Sequence, residues 1–158
     1  MLNPIPSEVD VAVIGAGSAG LPAFRAAREH TDRVILIERG PHGTTCARVG
    51  CMPSKLLIAA AEAAHGMEIA PGFGIHPGSI RIDGEAVMER VRRERDRFVG
   101  FVLDGVDRID PEQKISGQAR FVEDSRLEIG NSQVRAGRVV IASGTSPAIP
   151  DFLEQVRD

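Results

Sequence analysis

The glycine run 15–20, Gly-Ala-Gly-Ser-Ala-Gly, constrains the fold of this chain more than any other feature. It follows directly on residues 9–14, a short β-branched and apolar run that predicts a buried parallel strand. Residues 21–29 then predict a helix, and 33–38 predict a second buried strand that ends in the acid Glu38. Glycines at this spacing allow a tight turn and the close approach of a pyrophosphate to the start of a helix. The sequence therefore predicts a dinucleotide site, with Glu38 placed to accept ribose hydroxyls.

The chain has two cysteines, Cys46 and Cys51, and they lie close together. The stretch 39–51 is predicted to be an irregular loop, on which two thiols at this spacing can join in a disulfide. Pro53 suits the first turn of a helix, so Cys51 is predicted just before a helix N-terminus, where the dipole favours a thiolate. Lys55 adds positive charge one turn later. This pattern predicts a redox-active pair.

The rest of the chain continues with helices and then short strands. A helix is predicted from about 53 to 67, a break at 70–74, and a longer helix opened by Asp83. Apolar residues recur at near-helical spacing on one face of the longer helix, and arginines interleaved with acids on the other predict a solvated surface. The apolar face comprises Val87, Val91, Phe98, Val102 and Val106.

After this helix the pattern changes to strands. Segments 119–122, 126–129 and 133–135 predict a small antiparallel meander, and 138–142 predicts a buried strand that returns to the parallel sheet. A second glycine-containing turn, 143–150, follows that strand. The whole therefore predicts an α/β fold with a parallel sheet, helices and a meander.

Length and composition narrow the function classes. The 158 residues allow one domain with a real core. A formal net charge of −3 and the lack of Tyr and Trp predict neither nucleic-acid nor membrane binding. The N-terminal run 1–6 has no signal-peptide character, and redox-spaced cysteines in an unexported chain predict a cytoplasmic protein.

The run from Cys46 to Lys55 resembles the active-site disulfide of the class I pyridine nucleotide-disulfide oxidoreductases. That family includes dihydrolipoamide dehydrogenase, glutathione reductase and mercuric reductase. Arg48 departs from its pattern, which commonly has Asn there, and Thr44 departs where a second Gly is usual. The turn 143–150 resembles the second flavin signature of the family, with Ser and Thr exchanged. The matching positions in the disulfide run are Cys46, Gly50, Cys51, Pro53, Ser54 and Lys55.

The resemblance implies a Rossmann-like FAD-binding domain, of which residues 1–158 are the N-terminal part. The nicotinamide and dimerisation domains of the family would lie beyond Asp158, so this fragment alone is expected to be inactive. The implied activity is that of an FAD-dependent NAD(P)H:disulfide oxidoreductase, most like dihydrolipoamide dehydrogenase. The co-substrate would be NAD or NADP, the substrate a small-molecule or lipoyl disulfide, and the full-length enzyme a homodimer.

The resemblance also assigns site residues. The catalytic set is Cys46, which exchanges with substrate, Cys51, which faces the flavin, and Lys55, which lies near the flavin ring. No metal ligands are assigned. The residues expected to hold the cofactor are Gly15, Gly17, Ser18, Ala19, Gly20, Glu38, Arg39, Thr44, Thr45, Gly50, Ala119, Ser143 and Gly144.

Two other function classes remain open from the residues. The chain could be a stand-alone dinucleotide-binding module whose thiols sense redox state without turnover. Metal binding by Cys46 and Cys51 is the third class, which the scarcity of further donors disfavours because a zinc site needs four ligands and His42 is the only nearby imidazole. The substrate also stays open among lipoamide, a glutathione-like disulfide, mercuric ion and a quinone.

Overall fold

The computed structural model describes residues 5–146 and 148–156, so the N-terminal run 1–4, Pro147 of the second turn and residues 157–158 lie outside it. One mixed sheet forms the centre, with strand order β3-β2-β1-β6-β5-β4. The strands are β1 (Glu8–Ile14), β2 (Val34–Glu38), β3 (Lys114–Ser116), β4 (Ala119–Glu123), β5 (Arg126–Ile129) and β6 (Ser132–Ile141). The helices are α1 (Gly20–Arg28), α2 (Thr45–Val49), α3 (Cys51–Ile69) and α4 (Gly84–Asp107), with 3₁₀ turns at Ala70–Phe73 and Asp151–Val156.

The sheet is parallel on one side and antiparallel on the other. β1 pairs in parallel with β2 and with β6, and β3 extends the parallel part at the edge of β2. β4, β5 and β6 form the predicted antiparallel meander. The α/β prediction is therefore confirmed.

The prediction of two strands at 133–135 and 138–142 is wrong, because both belong to the continuous strand β6. Gly137 lies where they join, and a Cβ there would stand 3.1 Å from the carbonyl oxygen of Asp10 on β1. A glycine lets the two backbones approach at this point, so the strand runs on without a break.

Apolar residues are buried on both faces of the parallel strands. On β2, Ile35 and Ile37 pack with Leu127 and Ile129 of the meander, whereas Leu36 belongs to a second cluster. That second cluster includes Phe24 of α1 and Val106 of α4. Burial on both faces explains why the strands read as continuous apolar runs rather than as alternating ones.

α4 begins as the sequence predicts, since the Asp83 carboxylate accepts a hydrogen bond of 3.1 Å from the Ala86 N–H. Of its apolar face, Val91 and Val106 are buried. Phe98 is 36% exposed, contrary to its place in the predicted core face, and its ring lies edge-on to Phe101. None of the described helices has both the length and the apolar character needed to cross a bilayer.

The predicted loop 39–51 is wrong in its second half, which contains the short helix α2. The Thr44 hydroxyl accepts a hydrogen bond of 3.1 Å from the Ala47 N–H and so caps the start of α2. Gly50, with φ −122° and ψ −111°, separates α2 from α3. α3 begins at Cys51, two residues earlier than predicted, so this cysteine is the first residue of the helix.

Candidate functional site

The glycine turn is tightly closed on its protein side and open on the other. Gly15 has φ +104°, and a Cβ there would lie 2.2 Å from the carbonyl oxygen of Ala142. A Cβ on Gly20 would lie 1.7 Å from the carbonyl oxygen of Gly15. A Cβ on Gly17, in contrast, would meet nothing within 4 Å. The turn thus leaves free space beside backbone at the start of α1, as a bound pyrophosphate requires.

Glu38 lies at the end of β2 and reaches across to this turn. Its Oε2 accepts a hydrogen bond of 2.7 Å from the Ala16 N–H, and its Oε1 accepts one of 2.8 Å from the Gly40 N–H. Burial of the carboxyl acts to raise its pKa. Hydrogen bonds from backbone N–H groups, chiefly those of Ala16 and Gly40, together with the charge of His42, outweigh burial and lower the pKa of Glu38 below its ordinary value. The side chain is therefore a carboxylate at neutral pH.

A cavity of about 220 Å³ opens beside Glu38 at the carboxyl ends of the parallel strands. In open α/β sheets, ligands bind in the crevice at this edge. The wall formed by Gly117 and Gln118 was not predicted, although both directly precede Ala119, which was assigned to the cofactor. The predicted residues that line the cavity are Gly15, Glu38, Arg39, Ala119 and Ser143.

The remaining predicted residues divide between two places. Gly17, Ser18, Ala19 and Gly20 form the turn and the start of α1, and Gly144 follows Ser143 after β6. Thr44, Thr45, Gly50 and Lys55 lie with the two cysteines on the segment that carries α2 and the start of α3, which we call the thiol segment (residues 44–55). The cavity is lined by the turn, the end of β2 and the strands beside it, and the thiol segment contributes none of its lining residues.

Both cysteines are free thiols in this structure. Cys46 is partly buried on α2, whereas Cys51 is exposed at the first position of α3. A hydrogen bond with the Cys51 side chain, together with burial, raises the pKa of Cys46, and the positive charge of Lys55 acts in the opposite direction. The Cys51 thiol thus lies close enough to influence that of Cys46, and Cys51 stands at the start of α3, where backbone N–H groups lack partners within the helix.

Thr44 adopts a backbone conformation that β-branched residues rarely occupy. Its φ is +58° and its ψ is +147°, a region populated almost entirely by glycine. Its side chain nevertheless caps α2. A glycine would adopt this conformation without strain. The threonine is strained there, but its hydroxyl caps α2.

A larger cavity, of about 480 Å³, lies near the opposite ends of β1 and β2. Its lining includes ion-paired residues such as Arg28 and Asp32 together with Gln113. No predicted site residue lines it, so size alone does not identify the site here.

A sequence profile described as pyridine nucleotide-disulphide oxidoreductase matches residues 9–157. This chain belongs to that family. FAD is the cofactor of the family, with NAD or NADP as co-substrate. The glycine turn of this chain fits such a group, because the space at Gly17 is open and a carboxylate lies beside it.

Several members of the family are similar to this chain in sequence. A mercuric reductase from Streptomyces lividans is 36% identical over an alignment 159 residues long, which covers 93% of this chain and 33% of that protein. A mercuric reductase from Serratia marcescens is 37% identical over 152 residues, covering 90% and 32%. A glutathione reductase from Burkholderia cepacia is 32% identical over 143 residues, covering 90% and 32%. The chain thus spans about a third of the length of these relatives.

Solved structures show the same fold. The HOCl-induced flavoprotein disulfide reductase RclA from Escherichia coli superposes with a TM-score of 0.67 at 21% identity, over 90% of this chain and 29% of that chain. Its copper(II) complex gives a TM-score of 0.66 at 22% identity. These similarities support the Rossmann-like assignment of the sheet and helices.

Proposed function

We propose that this chain is the FAD-binding, thiol-bearing part of a flavoprotein reductase that uses NADH or NADPH. The observation that carries the proposal is the placement of Cys46 and Cys51 on successive helices separated by Gly50, where one thiol shifts the pKa of the other, in a chain whose glycine turn leaves space for a dinucleotide. FAD, when bound, would supply two-electron transfer between the nicotinamide and the thiol pair. Glu38 would accept ribose hydroxyls, and N–H groups of the turn would contact the pyrophosphate.

The two thiols have separate roles in the proposed reaction. The Cys46 thiolate attacks one sulfur of a substrate disulfide, forming a mixed disulfide and releasing one thiolate. Cys51, as a thiolate at the start of α3, then attacks the Cys46 sulfur and releases the second thiolate. The pair loses two electrons and closes its own disulfide, and the substrate gains two electrons and two protons. The positive charge of Lys55 opposes the rise in the pKa of Cys46 and so favours the first step.

The relatives suggest two classes of substrate for this chain. They include mercuric reductases and a glutathione reductase, which suggests a soft metal ion or a small disulfide as the electron acceptor. Two adjacent thiolates suit either, because thiolates are strong ligands for soft metals and good nucleophiles toward disulfides. The lipoyl disulfide of a dihydrolipoamide dehydrogenase stays a prediction, as do a homodimeric full-length enzyme and a cytoplasmic location.

A stand-alone redox-sensing module remains the second candidate. It rests on the residues that are present, because the glycine turn and both thiols lie within this chain. A sensor would need the thiol pair and the dinucleotide turn but no delivery of hydride.

The test is to titrate the purified chain with FAD and to follow quenching of flavin fluorescence. We expect saturable binding that Gly17→Ala weakens, and no binding by the wild-type chain would refute the proposal. In a second titration, glutathione disulfide is added to the reduced chain, and the Cys46–Cys51 disulfide that forms is detected by mass spectrometry. Turnover of NADPH by this chain without further domains would contradict the assignment to one part of a longer reductase.

A further inference from the structure

The Glu38 carboxylate is already engaged on the protein side of the site. One oxygen accepts the Ala16 N–H and the other accepts the Gly40 N–H, at 2.7 and 2.8 Å. These two donors lie on different segments, the glycine turn after β1 and the loop after β2. A single side chain thus joins the two loops that flank the 220 Å³ cavity.

The bond to Ala16 satisfies a donor that has little access to solvent. Ala16 is 2% exposed, so its N–H would be left without a partner if the carboxylate were removed. The turn is also held by the Gly15 N–H, which donates to the Ile37 carbonyl at 2.7 Å on the same strand as Glu38. Together these bonds fix the first half of the turn against the end of β2.

A carboxylate offers about four acceptor positions on its two oxygens. Two are used by the backbone bonds, and Glu38 also lines the cavity, so acceptor capacity remains toward a ligand. Contact with a ribose therefore does not require Glu38 to release the turn.

We propose that Glu38 is a positioning residue that holds the Gly15–Gly20 turn in its ligand-binding conformation before any dinucleotide arrives. The inference deepens the proposed FAD site and rests on it for the identity of the ligand, but the hold on the turn exists without one. A residue that only bound ribose would leave the empty turn unchanged when mutated. A positioning residue changes the empty turn as well as the affinity.

The charge of Glu38 matters for this role, since a charged acceptor forms stronger hydrogen bonds than a neutral one. The charged groups around it come mainly from the following loop, where His42 favours the ionised carboxylate and Arg39 is its direct neighbour. On the adjacent strand β3, Lys114 is engaged with Asp107 and with the carbonyl of Val106. The lowered pKa of Glu38 agrees with two accepted hydrogen bonds.

The experiment measures amide hydrogen exchange by NMR in the nucleotide-free chain. In Glu38→Gln the side chain keeps its size but has one acceptor oxygen instead of two. We expect exchange at Ala16 or Gly40 to accelerate by at least about tenfold, the factor of a charge-assisted hydrogen bond. Asp83→Asn is the matched control, because Asp83 also accepts a backbone N–H but caps α4 instead. It should leave both amides unchanged.

A wild-type measurement covers the case in which Glu38→Gln does not fold. The Ala16 and Gly40 amide proton shifts should titrate together, with an apparent pKa below that of an ordinary glutamate. Equal exchange in wild type and Glu38→Gln, or shifts that do not follow Glu38 ionisation, would overturn the positioning role. Failure of the wild-type chain to bind FAD would instead refute the proposed function, so the two failures are distinguishable.

Discussion

Cys46 and Cys51 belong to different helices, yet the Cys51 side chain raises the pKa of Cys46. Gly50 stands between the helices with a backbone conformation that ends α2, and the second cysteine then begins α3. A continuous helix would place the two side chains on different faces. The break at Gly50 therefore lets the two side chains approach each other.

The hydrogen bond between the thiols gives the first prediction. Because Cys51 is the largest cause of the raised pKa of Cys46, Cys51→Ala should lower that pKa. A lower pKa means more thiolate at pH 8, so iodoacetamide should alkylate Cys46 faster in the variant than in wild type. Rates measured from pH 6 to 10, with the modified peptide identified by mass spectrometry, test this. A slower rate in Cys51→Ala at pH 8 would contradict the assigned interaction.

Lys55 should influence Cys46 through charge alone. Lys55→Gln removes a positive charge that lowers the pKa of Cys46, so alkylation of Cys46 at pH 8 should slow. The side chain is exposed, and the difference should shrink in 1 M salt, where screening is strong. Arg48→Gln is the matched control, because Arg48 is not among the groups that shift this pKa. A larger effect from Arg48→Gln than from Lys55→Gln would reverse the assignment.

The strained backbone at Thr44 predicts how substitutions there change the free energy of unfolding. Thr44→Gly should relieve strain of about 1–3 kcal/mol at φ +58° while losing only a few tenths of a kcal/mol of capping. Thr44→Ala keeps the strain and loses the cap, which should cost about 1 kcal/mol. Urea unfolding should therefore rank Gly above wild type and wild type above Ala. If Thr44→Gly proves less stable than Thr44→Ala, the strain assigned to this residue is wrong.

Alanine substitutions at two glycines of the turn should have different effects, one on stability and the other on FAD binding. In Gly20→Ala the new methyl group would meet backbone at 1.7 Å, which should cost roughly 2 kcal/mol or more of unfolding free energy. In Gly17→Ala it meets nothing, so stability should stay within about 0.5 kcal/mol of wild type. FAD affinity should nevertheless fall in Gly17→Ala by about tenfold, because the methyl group occupies the space for the pyrophosphate.

Thermal unfolding and FAD titration of both variants separate the two effects. Gly100→Ala serves as the control, since it also has open space around its Cβ position but lies within α4. It should be stable and bind FAD normally. Wild-type FAD affinity in a folded Gly17→Ala would contradict the proposed place of the pyrophosphate.

Much of the fold could be predicted because its signals are local. The two buried strands around the glycine turn, the cap at Asp83 and the alternating meander each follow from a few adjacent residues. The short helix α2 could not be predicted in this way, since five residues carry too little periodicity and its start depends on a threonine in a glycine-like conformation.

Most residues of the candidate site could be predicted, but the contacts between them could not. The turn, the acid and the thiols follow from motif spacing. That Glu38 accepts the Ala16 N–H, and that Gln118 lines the cavity, depends on how β2 and the segment before β4 come together across the sheet edge. Such contacts between distant segments have no pattern in the sequence of one chain.

The place of α2 and α3 outside the two core clusters has a consequence for repeated use of the thiols. In the part of the chain that the structure describes, the two clusters of buried core residues include no residue of either helix. A disulfide between Cys46 and Cys51 closes a ring over only the four residues 47–50, and a short ring restricts the unfolded chain less than a long one does. We therefore expect closure and opening of the disulfide to change the stability of the sheet little, so that the glycine turn keeps its shape in both oxidation states of the thiols.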